Sequence, residues 1–388
     1  MNTGKNNWKR NSVAVYPAFF AIGLVETLFP RLKWQISFVF QHEYSLRILT
    51  FTGLLVLAFL SVLFGMIRTG KGNRVNLTAA LLVVLSGLLI LLFDVKPGHL
   101  VLLIALCLFA GSLFVQVAGL NAILAANEKG RNIRRIVLLY CIKTFGFMAG
   151  ISVPAILPST LAQMSGLLPY AALFFILLSV ALLFLLPFKV REETIPGKHI
   201  TYTIGQLLHN KNIILMLGGL LVYSGAEACL VNLIPFYFSE IFGIKILQMI
   251  IPGVGLFIFS FVAGRIAGVL ILFRTRPETV FLYSSVLSVL GLFTMFIGQK
   301  YLSLAATVMI GIGSANIFPL MIGLAMDLIQ HDKKVLLGMM TGTIPVSAFF
   351  TSLMWAVTDS VSITMSFMVP VFCMFYITWI AIMLVKRN

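Results

Sequence analysis

The chain is 388 residues long, 60% hydrophobic and only 10% charged, with a mean hydropathy of +1.04, whereas a soluble domain carries roughly 25% charged residues. These values exclude a soluble globular protein and point to a polytopic membrane protein. The formal net charge of +16 would suggest a nucleic-acid partner in a soluble chain, but here its distribution over the loops decides its meaning.

A membrane-spanning helix needs about 20 mainly apolar residues, and twelve stretches qualify. Residues 1–12 are polar and basic. The first stretch, 13–36, has no A-x-A cleavage site before Glu26 and Pro30, so it reads as an uncleaved first helix that Pro30, Arg31 and Lys33 can end early. The next five are 46–67, 75–93, 100–124, 134–157 and 168–188. A polar connection over 189–212, with Lys189, Arg191, Glu192, Glu193, Pro196, Gly197, Lys198 and Lys211, separates them from 213–238, 248–273, 277–298, 302–330, 336–358 and 362–385. The expected domains are a six-helix bundle at 1–188, a cytoplasmic linker at 189–212 and a second six-helix bundle at 213–388.

Lys and Arg fix the orientation. The two termini and the loops on their side hold 20, the opposite loops hold 6, and Lys143 and Arg265 fall within helices. The positive-inside rule then puts both termini in the cytoplasm of a multi-pass inner-membrane protein. Lipid headgroups are a sufficient partner for the basic loops, and no nucleic acid is needed. Cys107, Cys141, Cys229 and Cys373 lie in apolar runs without CxxC spacing, so neither a disulfide, a metal nor a cofactor is expected. His42, His99, His199, His209 and His331 all fall in or beside loops. That leaves no Ser/His or His/Asp pair at membrane depth, and an enzyme is not expected. Two six-helix halves without a soluble domain describe a transporter, a class whose substrate site lies near the midplane between halves that rock.

Polar residues inside the spans are the candidate sites, because ionised groups are costly in hydrocarbon and usually mark pathways. Glu26 reads either as a carboxylate that alternates between protonated and ionised forms or as a permanent salt bridge between the first and fifth helices. Gln116 shares a face with Ser112 and Gly119, whereas Asn121 lies on another face. Gln116 is therefore the favoured cavity residue of the fourth helix, with interhelical hydrogen bonding as its competitor. On the fifth helix Tyr140, Lys143, Thr144 and Phe147 share one face. Lys143 suits either a substrate carboxylate or Glu26. Glu227 is a contact for sugar hydroxyls or caps a kink near Gly225. Asn316, close to Pro319, meets ligand or satisfies a backbone group that the proline frees.

Ser347, Thr351, Trp355 and Thr358 form a hydroxyl and aromatic face suited to a sugar, although a Trp near a helix end also serves as an interface anchor. Arg265 is expected near the cytoplasmic end of the eighth helix, snorkelling towards Arg274 and the loop in a gating or structural role and not as a ligand contact. Gly311 and Gly313 allow close helix contact.

The strings Tyr223-Ser224-Gly225-Ala226-Glu227-Ala228-Cys229, Gly264-Arg265-Ile266-Ala267-Gly268, Ser314-Ala315-Asn316-Ile317-Phe318-Pro319-Leu320 and Ser352-Leu353-Met354-Trp355-Ala356-Val357-Thr358-Asp359 stand in this order across the second half. Together they resemble the fucose permease and glucose/galactose transporter family of the major facilitator superfamily, mostly proton-coupled sugar symporters. Glu26-Thr27-Leu28-Phe29-Pro30 is similar to the family's first-helix signature, whose acidic residue is a protonation site, and that role carries over to Glu26.

Ala110-Gly111 with Gln116 resembles the fourth-helix signature, where the family commonly has a second carboxylate. An amide hydrogen-bonds a hydroxyl but does not titrate. Lys143 stands where the family tends to have neutral amides beside its sugar. The basic loop Gly65 to Arg74 lacks the aspartate that superfamily members often place there.

The resemblance implies an all-α membrane protein with the major facilitator fold, twelve transmembrane helices in two six-helix halves. It implies a secondary active transporter, a monomer, that moves a small sugar or sugar-like solute by alternating access in symport with protons through Glu26. Gln116, Tyr140, Lys143, Glu227, Asn316 and Trp355 are the expected substrate contacts, and Arg265 the gating residue. Two alternatives stand beside this: a transporter or exchanger of an anionic sugar acid held by Lys143, and a transporter-derived sensor that binds ligand without moving it.

Overall fold

The computed structural model describes residues 3–28, 55–64, 73–92, 99–124, 132–156, 167–185, 200–244, 254–329 and 333–387. Among them no strand occurs, and every regular element is a helix. In chain order these are α1 (Thr3–Glu26), α2 (Leu55–Phe64), α3 (Asn73–Leu92), α4 (His99–Leu124), α5 (Asn132–Ile156), α6 (Leu167–Leu185), α7 (Ile200–His209), α8 (Lys211–Phe242), α9 (Val254–Ile271), α10 (Pro277–Met295), α11 (Lys300–Ser314), α12 (Ile317–Asp327), α13 (Lys333–Val346), α14 (Ala348–Ser360), α15 (Ile363–Ser366) and α16 (Met368–Arg387). Six described helical segments are long and apolar enough to cross a membrane, from Ile104–Leu124 to Ile363–Lys386. Pro30, Arg31, Lys33, His42, His199, His331, most of the loop from Gly65 and the linker up to residue 199 lie outside the described residues.

Several boundaries differ from the expected ones for local reasons. The first helix begins ten residues early, at Thr3 instead of 13, and gives way at Glu26 to a tighter turn in which Thr27 and Leu28 donate to the carbonyls of Leu24 and Val25 at 3.1 and 2.9 Å. The end of the expected linker is the helix α7, which stops where Asn210 caps α8 by accepting from the Asn212 N–H at 3.0 Å. The far end of α8 closes on Gly243, whose φ of 66° is open to glycine without a Cβ penalty, and its N–H donates to Phe238 and Ser239. α8 continues as helix past Gly225. The expected tenth helix is two helices, α11 and α12, parted at Ala315-Asn316. Pro319 lacks the N–H that would carry the ladder across this break.

The chain divides into two compact units. One comprises Met1–Asn132, Ile142–Ile204 and His331–Pro345, the other Ile133–Cys141, Gly205–Gln330 and Val346–Asn388. In the first, Ser179 donates to the Ala14 carbonyl at 2.6 Å and ties α6 to α1, and the hydroxyls of Ser61 and Thr341 lie 2.7 Å apart and join α2 to α13.

In the second, small residues bring backbones together, as apolar helices without a hydrophobic drive between them require. A Cβ on Gly311 would stand 2.9 Å from the Phe257 carbonyl of α9, and one on Gly313 2.7 Å from the Ser288 nitrogen of α10. Buried hydroxyls there donate to the preceding helical turn, Ser260 to Leu256 at 2.7 Å and Thr307 to Ser303 at 2.8 Å. Their polar groups are thereby satisfied in apolar surroundings.

Candidate functional site

Two constellations hold the charged residues Glu26, Lys143 and Arg265. The first lies in the first unit, where α1 crosses α5. Glycines allow the crossing: a Cβ on Gly23 would run into the Lys143 carbonyl, and one on Gly146 into the Phe20 carbonyl, while Gly150 faces Thr27. Gly146 and Gly150 are four apart and so form one small-residue stripe on α5.

This approach delivers the Lys143 ammonium to Glu26, Nζ to Oε1 2.7 Å, with the two side chains 16% and 25% exposed. Glu26 is the last residue of α1, where the negative end of the helix macrodipole opposes a carboxylate. Lys143 offsets that repulsion. The Thr27 hydroxyl turns away and donates to Leu24 at 2.6 Å. Gln116 is buried on α4, and its amide nitrogen reaches the Ser112 carbonyl at 3.4 Å.

The second constellation lies wholly in the second unit and centres on Arg265. The expected snorkelling does not occur: the side chain is only 4% exposed. Its guanidinium carbon sits 4.8 Å from the Phe261 ring centroid and 5.3 Å from that of Tyr140. Nε and Nη1 are buried without a hydrogen-bond partner, and among the described residues Arg265 has no ion pair.

Ring contacts to a desolvated cation are worth about 2 kcal/mol. Arginine at membrane depth costs roughly 2.5 to 3.5 kcal/mol on insertion scales, and each stranded donor about 1 to 3 kcal/mol more. The rings support the cation without satisfying its donors. Those donors require an acceptor.

The elements around Arg265 are fixed by hydrogen bonds at the α11–α12 break. Tyr223 on α8 donates its hydroxyl to the Ser314 carbonyl at 2.6 Å, taking up a backbone acceptor where the helix is interrupted. Glu227 lies one turn on along the same helix. Asn316 donates from Nδ2 to the Gly264 carbonyl at 2.7 Å. The backbone reading of Asn316 therefore describes its nitrogen, but the acceptor is on α9 and not in its own helix. The Asn316 amide lies over Gly268, where any Cβ would collide with it, while Oδ1 is buried without a partner. Phe318 packs edge-on to Tyr140 at 5.3 Å and tilted against Tyr223 at 6.3 Å.

Trp355 is partly buried and packs edge-on to Phe236 of α8 at 5.1 Å. Its neighbour Thr358 already bonds the Met354 carbonyl at 2.9 Å and Ser366 at 2.6 Å, so part of the predicted hydroxyl face is engaged in the fold. The structure thus joins Glu26 to Lys143 and Tyr140 to Arg265, and sets Asn316 on the Arg265 helix. Tyr223, Phe261, Phe318 and the Gly146/Gly150 stripe are missing from the sequence-derived sites. The four-residue glycine spacing alone was a readable signal.

No protein-family model matches the sequence, and no curated protein matches it either. Solved structures do match over nearly the whole chain. The E. coli fucose:proton symporter is 15% identical over 96% of this chain and 97% of that one, with a TM-score of 0.73. A human organic anion transporter (TETRAN) is 13% identical over 96% and 99%, at 0.70. The proton:xylose symporter bound to 6-bromo-6-deoxy-D-glucose is 11% identical over 99% and 96%, at 0.69. At such identities the likeness is one of fold: the chain is an all-α membrane protein with the major facilitator fold.

Proposed function

We propose that the protein is a secondary active transporter that moves a small sugar or sugar-like solute across the inner membrane by alternating access, with Glu26 carrying a coupled proton. The observation that carries this reading is the 2.7 Å contact between Glu26 and Lys143, an ion pair between a carboxylate and an ammonium held where two helices cross. A proton arriving on the Glu26 carboxylate cancels its charge, breaks the attraction and leaves the Lys143 ammonium without a counter-ion. Losing the proton restores the pair. Coupling follows if the two states of the pair favour different openings of the transporter. The proton coupling printed for the fucose and xylose symporters supports the same choice.

The orientation with both termini in the cytoplasm and the division into bundles 1–188 and 213–388 belong to this proposal, as does a monomer embedded in lipid. They rest on the loop charges and on the major facilitator fold. A second reading, transport of an anionic sugar acid, draws support from the cations at membrane depth and from the organic anion transporter among the structural neighbours. The test is uptake into proteoliposomes. Glu26→Gln is expected to abolish pH-driven accumulation of sugar and to spare counterflow exchange. Unchanged accumulation in that variant rejects the proton-carrier role.

A further inference from the structure

Lys143 already has Glu26 as its counter-ion, at 2.7 Å. Arg265 has none among the described residues, although it is the more deeply buried cation, 4% exposed with Nε and Nη1 unpartnered. We propose that Arg265 is the carboxylate-binding residue of the transport site, and that the solute is a hydroxy acid of sugar size held by Arg265 through its anion and by Asn316 through a hydroxyl. This rests on the transport reading and narrows its substrate from sugars in general to acidic ones.

Three observations carry it. The guanidinium is braced by ring faces of Phe261 and Tyr140 at 4.8 and 5.3 Å, contacts that position a cation but leave its N–H donors directed elsewhere. A guanidinium so placed suits a planar carboxylate better than an ammonium would, because its donors lie in one plane and keep their charge. On the same stretch of α9, Asn316 donates through Nδ2 to the Gly264 carbonyl at 2.7 Å, which fixes the amide, and its Oδ1 is buried and unpartnered.

Stranded donors on Arg265 and a stranded acceptor on Asn316, whose amide is bonded to the adjoining residue Gly264, describe the complement of a molecule with an anionic acceptor and an O–H donor. A neutral sugar meets the acceptor through its hydroxyls but brings no anion to the cation. Finally, Gly264 and Gly268 flank Arg265 in sequence: the missing side chain of Gly268 leaves room for the Asn316 amide, and that of Gly264 lets α9 approach Ile312 and Ala315. Gly268 therefore seats the amide on α9 within one turn of Arg265 in sequence, while Gly264 serves helix packing.

The test uses the purified full chain in detergent, with galacturonate, gluconate and lactate as acidic probes and galactose and glucose as neutral ones. Binding is read by titration calorimetry, with thermal unfolding as the check that each variant is folded. The wild type is expected to bind at least one hydroxy acid roughly tenfold or more tighter than either neutral sugar, and Arg265→Lys to erase most of that preference while keeping charge and fold. Arg265→Gln should lose acid binding entirely. Should it fail to fold, the lysine variant carries the test.

Equal or better binding of the neutral sugars, no binding of any acid, or undiminished acid binding in Arg265→Lys each overturns the assignment and leaves the sugar transporter intact. Arg265-dependent acid binding without any uptake or counterflow in proteoliposomes upholds the assignment and rejects the transport reading instead.

Discussion

Lys143 Nζ stands 2.7 Å from Glu26 Oε1, so the acid that closes α1 has its counter-ion on α5. Both side chains are largely withdrawn from solvent, and removing one partner of such a pair strands the other at a cost of about 3 to 5 kcal/mol when burial is complete. The partial exposure of these two lowers that figure. Glu26→Gln and Lys143→Met should each lower the thermal unfolding temperature, Tm, whereas the double variant should be more stable than the sum of the single losses predicts. Strict additivity across this double-mutant cycle would mean that the pair contributes no coupling energy.

The glycines at the same crossing make a separate prediction about shape. Gly146→Ala places a Cβ against the Phe20 carbonyl, and Gly23→Ala one against the Lys143 carbonyl. Backbone on the far side cannot rotate away as a side chain would. Overpacking of this kind costs about 1 to 3 kcal/mol, so each variant should show a lower Tm. A wider crossing should also lengthen the Glu26 to Lys143 contact. Charge-pair coupling measured in the Gly146→Ala background should therefore shrink, and an unchanged coupling would show that the pair does not depend on this approach.

A different kind of cost attaches to Tyr223, whose hydroxyl donates to the Ser314 carbonyl at 2.6 Å with the ring fully buried. Tyr223→Phe keeps the packing and removes the donor. The carbonyl sits where α11 gives way to α12 and stays buried, so its loss of a partner should cost about 1 to 3 kcal/mol. A fall in Tm is expected, together with slower counterflow, because the α11–α12 break also carries Asn316. Wild-type Tm in Tyr223→Phe would show that the break has another donor in reserve.

Much of this architecture is legible in the residues. Low charge, apolar runs of helical length and the uneven loop charge define a multi-span membrane protein, and four short strings in the second half point to the major facilitator fold that the solved structures share. The pairing of Lys143 with Glu26 is one of two readings that the sequence allows, and the structure has it. The inward turn of Arg265 is not legible. A lone arginine at an estimated helix end normally reaches for headgroups, and only the fold brings the rings of Phe261 and Tyr140 to it. The break at Ala315-Asn316 is half legible. Pro319 marks a lost N–H, but the donor that settles the Ser314 carbonyl comes from Tyr223, 91 residues away.

Gly268 and Asn316 offer the closest control on the Arg265 constellation, since neither carries charge. A Cβ at Gly268 would occupy the volume of the Asn316 amide. Gly268→Ala should therefore push that side chain off its 2.7 Å bond to the Gly264 carbonyl and lower Tm. Asn316→Ala removes the obstacle together with the bond, and gives up a buried hydrogen bond worth about 0.5 to 1.5 kcal/mol. In the double variant the new methyl group enters space that the amide has vacated. Its Tm should be no lower than that of the worse single variant, a clear departure from additivity for residues in contact. Two losses that simply add would show that the glycine serves some other neighbour.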